Sequence, residues 1–559
     1  MRAQTASARP RQHPEGWEST AFIAALAVFG IGIILWAAGE VAGFLGSGRW
    51  PDVSPSQIGG VLVRIASTMG DPGRAWPPVA RPLMPGPVLF YAVLAVLAIA
   101  AAALAVTGRR LVSMLPGGPV SGGSGWASLA DLRPLIVSGP ARARLILGRV
   151  GSKLIAAEER QSVIVLGPTQ SLKTTGFAIP SILEWDGPVL ATSVKTDLLR
   201  DTITARSERG EVWVYDPTSS TEHRTSRWSP LSLCDDWRGA QRTAMWLAGA
   251  SRTDGSGLSD ADFWYAAAAK LLGPHLFAAA HSGRTMADVV RWINTQEERQ
   301  VREALQAAGV PEALDAATAS WKRESRQKSS VYTTVETVLG AYEDPVVARS
   351  ASGCDIFPEI LLDGSSRSLY VVSPSHEQKR LRPLFETLLQ TVINYSFELS
   401  SRTGKPIDPP LLVVLDEAAN IAPLRDLDTL ASTAASHGIQ LVSVFQDLAQ
   451  VSTRYGERAQ TVVNNHRAKI VLSGISDTQT LEYVSRLLGD EEVMQASVTR
   501  GSHGARSTTE STTMRSIAPA HVLRSIRPGE GVLVYGHLPA ARIHLRPWFK
   551  EKSLRPRVT

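Results

Sequence analysis

The stretch "LGPTQSLKTTGF", Leu166 to Phe177, decides how the rest of the chain is read. It approaches the phosphate-loop pattern G-x-x-x-x-G-K-[ST], with Gly167 opening it and Lys173-Thr174 closing it. Leu172 stands where the second glycine is expected. The preceding "SVIVLG" is a short β-branched run ending on glycine, and a helix-prone segment follows. A parallel strand enters a phosphate loop in that way. Consecutive backbone groups of such a loop converge on a phosphate at a helix N-terminus. The expected nucleotide-contacting residues are therefore Gly167, Pro168, Thr169, Gln170, Ser171, Leu172, Lys173, Thr174 and Thr175. Lys173 is expected to reach the β- and γ-phosphates of ATP, and Thr174 to place its hydroxyl on Mg²⁺. If position 172 needs a left-handed backbone, leucine costs about 1–2 kcal/mol there. Such strain weakens the motif without abolishing it. Taken alone, the loop is equally a chance match on a turn.

Two further segments argue against chance. "LLVVLDEAAN", Leu411 to Asn420, carries an apolar run that ends in Asp416-Glu417. A carboxylate at a strand's C-terminal end holds Mg²⁺, and its neighbour polarises the attacking water. The alternative is an acidic pair that caps a helix. "SVFQDLAQ" then puts Gln446 at the end of the next strand, where an amide can sense the γ-phosphate. Lys173, Asp416, Glu417 and Gln446 form the candidate catalytic set, with Thr174 and Asp416 as the metal groups.

Around these segments the texture alternates between strand and helix. "PVLATSV" and "EVWVYDP" follow the loop, and "RSLYVVSP", "AKIVLSG" and "EGVLVYG" come later. That rhythm argues for a layered α/β domain. Between about 226 and 350 the patterns are helical, as in "DFWYAAAAKLLGPHLFAAA". The expected organisation is one nucleotide domain in two parts, 151–225 and 351–550, split by an all-α insertion. "TRGSHGARSTTESTT", Thr499 to Thr513, reads as a polar loop, and residues 551–559 as a basic tail.

The 559 residues exceed what one core serves. The net charge of +6 is weak support for a phosphate-rich partner. Two cysteines, Cys234 and Cys354, exclude a disulfide framework and fit a reducing compartment. Near the N-terminus, "AFIAALAVFGIGIILWAA" (Ala21 to Ala38) and "LMPGPVLFYAVLAVLAIAAAALAVTG" (Leu83 to Gly108) are uncharged apolar runs of membrane-crossing length. Arg2, Arg9 and Arg11 precede the first run, and Arg109-Arg110 follow the second. The charge bias favours both ends in the cytoplasm, with 1–20 a cytoplasmic tail and 21–108 a two-span region with an outer loop. Residues 109–150 lead into a large cytoplasmic body, beginning with a Gly/Pro/Ser-rich linker at Leu111 to Gly125.

With these segments in hand, the chain resembles the type IV secretion coupling proteins of the TraG/TraD kind, the membrane ATPases of conjugation. "SGWASLADLR", "PVLATSVKTDLL", "VVLDEAANIAPL", "STAASHGIQLVSVFQDLAQVSTRYG" and "GVLVYGHLPAARIHLRPWF" carry the resemblance beyond the loop. It implies a RecA-like domain that assembles as a ring, usually a homo-hexamer, in the bacterial inner membrane. It further implies ATP hydrolysis driving single-stranded DNA, with its attached relaxase, into a type IV secretion channel. The match to "SVKTDLL" suggests Lys195 and Asp197 at the nucleotide or subunit border, with an exposed ion pair as the alternative. No arginine finger is placed, since Ser436-His437-Gly438 stands where the family often has an arginine. Arg467 is a weak substitute.

DNA contact is the least legible feature. Lys322, Arg323, Arg326 and Lys328 cluster beside Trp321 and Tyr332. They form either a solvated helix face or a phosphate-tracking patch. Three other functions stay open at this point. These are a nucleotide-binding docking receptor with little hydrolysis, a coupling ATPase for protein cargo alone, and an FtsK- or HerA-like duplex translocase.

Overall fold

The computed structural model describes residues 17–112, 125–252, 261–421, 424–500 and 506–558. Most of the linker expected over 111–125 lies outside them, as does most of the N-terminal tail. The chain divides into two compact units, 1–122 and 123–559.

In the first unit, helices span Trp17–Ser47 and Pro87–Val112. Within them Phe29–Ser47 and Pro87–Leu104 are long and apolar enough to cross a bilayer. The first helix runs past the expected end at Ala38, and Glu40 explains how. Its carboxylate accepts the backbone N–H groups of Asp52 and Val53 at 3.1 and 2.8 Å. The charge is thereby spent on backbone donors of the returning chain rather than left bare. Gly39 faces Trp76 so closely that a Cβ there would sit 2.2 Å from the ring. Trp76 in turn meets Phe90 edge-on at 5.2 Å, knitting a small core.

The second unit is built on a 12-stranded sheet. Its strands are β1 Ile136–Val137, β2 Ile146–Val150, β3 Lys153–Ala156, β4 Val163–Leu166, β5 Val189–Ser193 and β6 Val212–Tyr215. They continue with β7 Ser368–Val372, β8 Leu411–Leu415, β9 Ile439–Phe445 and β10 Ala468–Leu472. A separate hairpin, β11 Asp490–Arg500 and β12 Arg506–Ser516, precedes β13 Glu530–Tyr535 and β14 Ala541–His544. The sheet order is β1-β3-β2-β14-β13-β10-β4-β9-β8-β5-β7-β6. From β10 to β6 neighbours are parallel, and from β10 back to β1 they are antiparallel. β4, β5, β7, β8 and β9 are buried along their whole length, so both sheet faces are covered. This is why their sequences read as continuous apolar runs rather than alternating ones.

Between β6 and β7 the chain is helical, from Trp237–Ala250 to Pro358–Leu361. The RecA-like α/β fold, interrupted by an all-α insertion and preceded by two apolar helices, matches the expectation. Two readings need correction. The stretch Thr499–Thr513, expected as a loop, belongs largely to the β11–β12 hairpin, whose register pairs Thr499 with Ser507 and Val493 with Thr513. Its threonines suit a strand, and their polarity masked that preference. The basic segment after 550 is not a free tail over its described residues. Leu554 is fully buried, and Glu551 accepts from Arg149 at 2.9 Å.

Candidate functional site

The site forms where β4, β9 and β8 end side by side. Leu166 pairs with Phe445, and Leu415 with Ser443, so the three strand ends face one edge of the sheet. Gly167 N–H donates to Phe445 O at 3.0 Å as the loop leaves β4. A Cβ at Gly167 would lie 2.5 Å from Ser171 Oγ, which is why glycine opens the loop. Thr169 and Gln170 form the exposed crest, and Ser171 N–H closes back on Pro168 O at 3.3 Å. The chain then winds as one wide π turn over Thr174–Ala178 before the α-helix Ile179–Glu184. Thr175 is half-buried in that turn.

Leu172 has φ +66°, the left-handed backbone that the missing glycine would have allowed at no cost. Its carbonyl still accepts Gly176 N–H at 2.7 Å, so the loop closes despite the side chain. The leucine packs against the sheet core and beside Gly529 and Gly176. Gln170 shares φ +66°, a second strained position that the sequence pattern does not announce.

Lys173 is buried, and its Nζ donates to Gly167 O at 3.1 Å. Thr174 Oγ1 donates to Asp416 Oδ2 at 3.1 Å. Asp416 directly follows β8, and Glu417 turns away from the strand at φ +59°. Glu417 Oε2 accepts from Asn420 Nδ2 at 3.0 Å, and Ala418 N–H ties the turn to Val444 O at 3.0 Å. Gln446 follows β9, half-buried, its backbone N–H bonded to Gln450 Oε1 at 2.9 Å. Lys173, Thr174, Asp416, Glu417 and Gln446 are thus brought to one sheet edge.

Burial dominates the electrostatics. It pushes the Asp416 carboxyl from 3.8 up to about 7, with Glu417 adding to the rise and the Thr174 hydrogen bond and Lys173 opposing it. Burial likewise lowers the Lys173 ammonium, while Asp416 and Glu417 pull it back up. Both groups sit in low dielectric where the neutral form gains.

Other expected residues fare unevenly. Lys195 and Asp197 flank the site closely enough that Lys195 depresses Lys173 and Asp197 raises Asp416. Lys195 is exposed, and Asp197 caps its own neighbour Leu198 N–H at 3.0 Å. Arg467 precedes β10, at the sheet edge opposite the loop. It is held by Glu158 at 2.9 Å and lies 5.5 Å over Tyr535, which removes it as a free finger. In the basic cluster, Lys328 pairs with Glu298 at 2.6 Å, while Trp321 and Tyr332 are buried in the core. Lys322 and Arg326 remain exposed, so the cluster offers charge but no stacking surface.

The family described as "Type IV secretory system Conjugative DNA transfer" matches residues 140–557. The chain is 25% identical to a conjugal transfer protein TraG of Escherichia coli over 367 residues, 61% of this chain and 56% of that protein. It is 23% identical to a protein VirD4 of Rhizobium radiobacter over 410 residues, 69% of this chain and 57% of that protein. The matches thus span less than two thirds of these relatives. Among solved structures it is similar to the bacterial conjugative coupling protein TrwBdeltaN70 in complex with sulphate. The TM-score is 0.59 at 19% identity, over 76% of this chain and 93% of that one. The plasmid coupling protein TrwB in complex with ADP and Mg²⁺ gives 0.56 at 19%, over 76% and 99%. These likenesses carry the fold, and the family match across most of the second unit carries membership. The chain belongs to the type IV secretory system conjugative DNA transfer family.

Proposed function

We propose that the chain is a membrane-anchored ATPase that couples a DNA-relaxase substrate to a type IV secretion channel. In this reading it assembles as a homo-hexamer in the bacterial inner membrane and pumps single-stranded DNA by ATP hydrolysis. The observation that carries the reading is the 3.1 Å approach of Thr174 Oγ1 to Asp416 Oδ2 beside buried Lys173. A hydroxyl and a carboxylate at that spacing are the hard oxygen donors that suit Mg²⁺. Ser171 Oγ, buried and without a hydrogen-bond partner, supports a ligand at the loop as well. Mg²⁺ held by Thr174 and Asp416 would neutralise charge on the β- and γ-phosphates.

The chain's own groups supply the rest. Lys173 exchanges the Gly167 carbonyl for a phosphate oxygen. Glu417, carried out of β8 by its left-handed turn, takes a proton from the water that attacks the γ-phosphate as ADP leaves. Gln446 lies one strand from both and reads the γ-phosphate. The basic, exposed Lys322 and Arg326 suit contact with a phosphate backbone.

The test is ATP hydrolysis by the full chain in lipid nanodiscs, with and without single-stranded DNA, beside Lys173→Ala. DNA-stimulated turnover that Lys173→Ala abolishes supports the motor. Nucleotide binding without turnover, in wild type and with DNA present, overturns it in favour of a docking receptor. Stimulation by duplex DNA alone would point to a duplex translocase, and stimulation only by a cargo protein to protein export.

A further inference from the structure

A cavity of 670 Å³ opens in the helical insertion, remote from the phosphate loop in sequence and lined by three helices. Helix Trp237–Ala250 contributes Met245 and Ala248, helix Ala261–His281 contributes Ala266 and Ala269, and helix Pro311–Trp321 contributes Ala316 and Ala319. On each helix these residues recur at helical spacing, so one face of each turns toward the hollow. Small side chains leave the space open, and Met245 is 65% exposed beside it. Ligand pockets occupy about 300–1,000 Å³, so the volume suits a short segment of another molecule.

The rim is strongly cationic. Lys270, Arg323 and Arg425 line the same cavity. Among the described residues none of the three is in an ion pair, whereas Arg252 on the rim is held by Asp262. Asp262 is the cavity's carboxylate, so its charge is already matched. Three cations from three separate segments therefore face one apolar hollow. The arrangement complements a ligand with carboxylates around an apolar anchor. A nucleic acid strand fits less well. The rings in the cavity lining, Trp237 and Tyr265, are both half-buried, and Trp237 is engaged edge-on with Phe277 at 5.8 Å, so the cavity presents no fully exposed aromatic platform for base stacking.

Arg425 gives the cavity a link to the nucleotide edge. It belongs to the connection that leaves β8 through Asp416 and Glu417, and its guanidinium lies over Gly249, where a Cβ would meet Nη1 at 3.2 Å. We propose that this cavity binds a short acidic peptide segment with an apolar anchor, contributed by a partner protein.

The experiment uses the full chain in nanodiscs and fluorescence anisotropy of labelled short peptides. One alternates Glu and Leu, one Lys and Leu, and one Glu and Ser, with an oligodeoxythymidine as the nucleic acid probe. The expected result is saturable binding of the Glu/Leu peptide alone, weakened by added salt. Ala266→Trp and Ala319→Trp, both at exposed positions, fill the hollow and should weaken it about tenfold or more. Arg425→Ala should also weaken it, and circular dichroism melts should show all three variants folded. Absence of Glu/Leu binding, or binding unchanged by the two tryptophans, overturns the proposal. So does oligodeoxythymidine binding that these tryptophans abolish. Neither outcome touches the ATPase reading, which is scored by turnover.

Discussion

Thr174 Oγ1 stands 3.1 Å from Asp416 Oδ2 although 242 residues separate them. The contact exists because β9 threads between β4 and β8, so that three parallel strands end level at one sheet edge.

Glu417→Gln keeps the size of the side chain and its bond to Asn420 but removes the proton acceptor. Hydrolysis should fall by about 10²–10⁴-fold, the usual worth of a general base. Fluorescent ATP should bind as before. Equal losses of binding and turnover would show a structural role for Glu417 instead.

At Leu172, strain and packing oppose each other. Leu172→Gly relieves about 1–2 kcal/mol of left-handed strain but gives up contact with the sheet core. Stability should therefore change little, with turnover equal to or above wild type. Leu172→Ile keeps the volume and adds β-branching at φ +66°, so it should be less stable than Leu172→Gly by about 1–2 kcal/mol. Urea melts of the variants rank them directly.

Asp416 makes the site pH-sensitive in a defined direction. Between 3.8 and about 7 the folded chain holds a proton here that the unfolded chain releases. The folded state binds more protons in that window, so this group's stabilising contribution is full below it and lost as pH rises through about 7. Mg²⁺ needs the carboxylate, so Mg²⁺-dependent ADP binding should strengthen on the same rise, by about tenfold per pH unit below the midpoint. Titration calorimetry in two buffers would detect the released proton. Asp416→Asn should remove both the slope and the proton.

Behind the loop, Arg546 donates to both Glu184 oxygens at 2.8 and 2.7 Å, with side chains only 4% and 9% exposed. Its backbone N–H also holds Gly176 O at 3.2 Å, so β14's extension braces the loop's helix. Glu184→Gln should cost about 3 kcal/mol by leaving a buried charge poorly matched. Arg546→Lys, made separately, should also lower stability, because a lysine cannot donate to both Glu184 oxygens in the forked geometry. Thermal melting midpoints would show the drop, and an unchanged midpoint would mean that water solvates the pair.

Much of this protein was determined locally by the chain itself. The apolar runs Val163–Leu166, Val189–Ser193, Leu411–Leu415 and Ile439–Phe445 are strands because β-branched residues with no polar face belong inside a covered sheet. Asp416-Glu417 was legible because it directly follows such a run, and Lys173-Thr174 because it closes the loop that leaves Leu166 through Gly167. Tertiary structure decided what local pattern leaves open. β2, β3 and β14 are short and carry charged residues; β2–β3 and β13–β14 are local hairpins, but only the long-range pairing of His544 with Arg149 joins them into one sheet. Gln170 is left-handed because the whole loop must curl, a demand no single position reveals. Asp416 rises toward neutrality because strands from distant parts of the chain bury it. Trp321 and Tyr332, which stand beside the basic cluster in the sequence, are buried by helix packing. The cavity rimmed by Lys270, Arg323 and Arg425 follows the same rule, since convergence of three helix faces is a property of packing, and packing acts across the fold rather than along the chain.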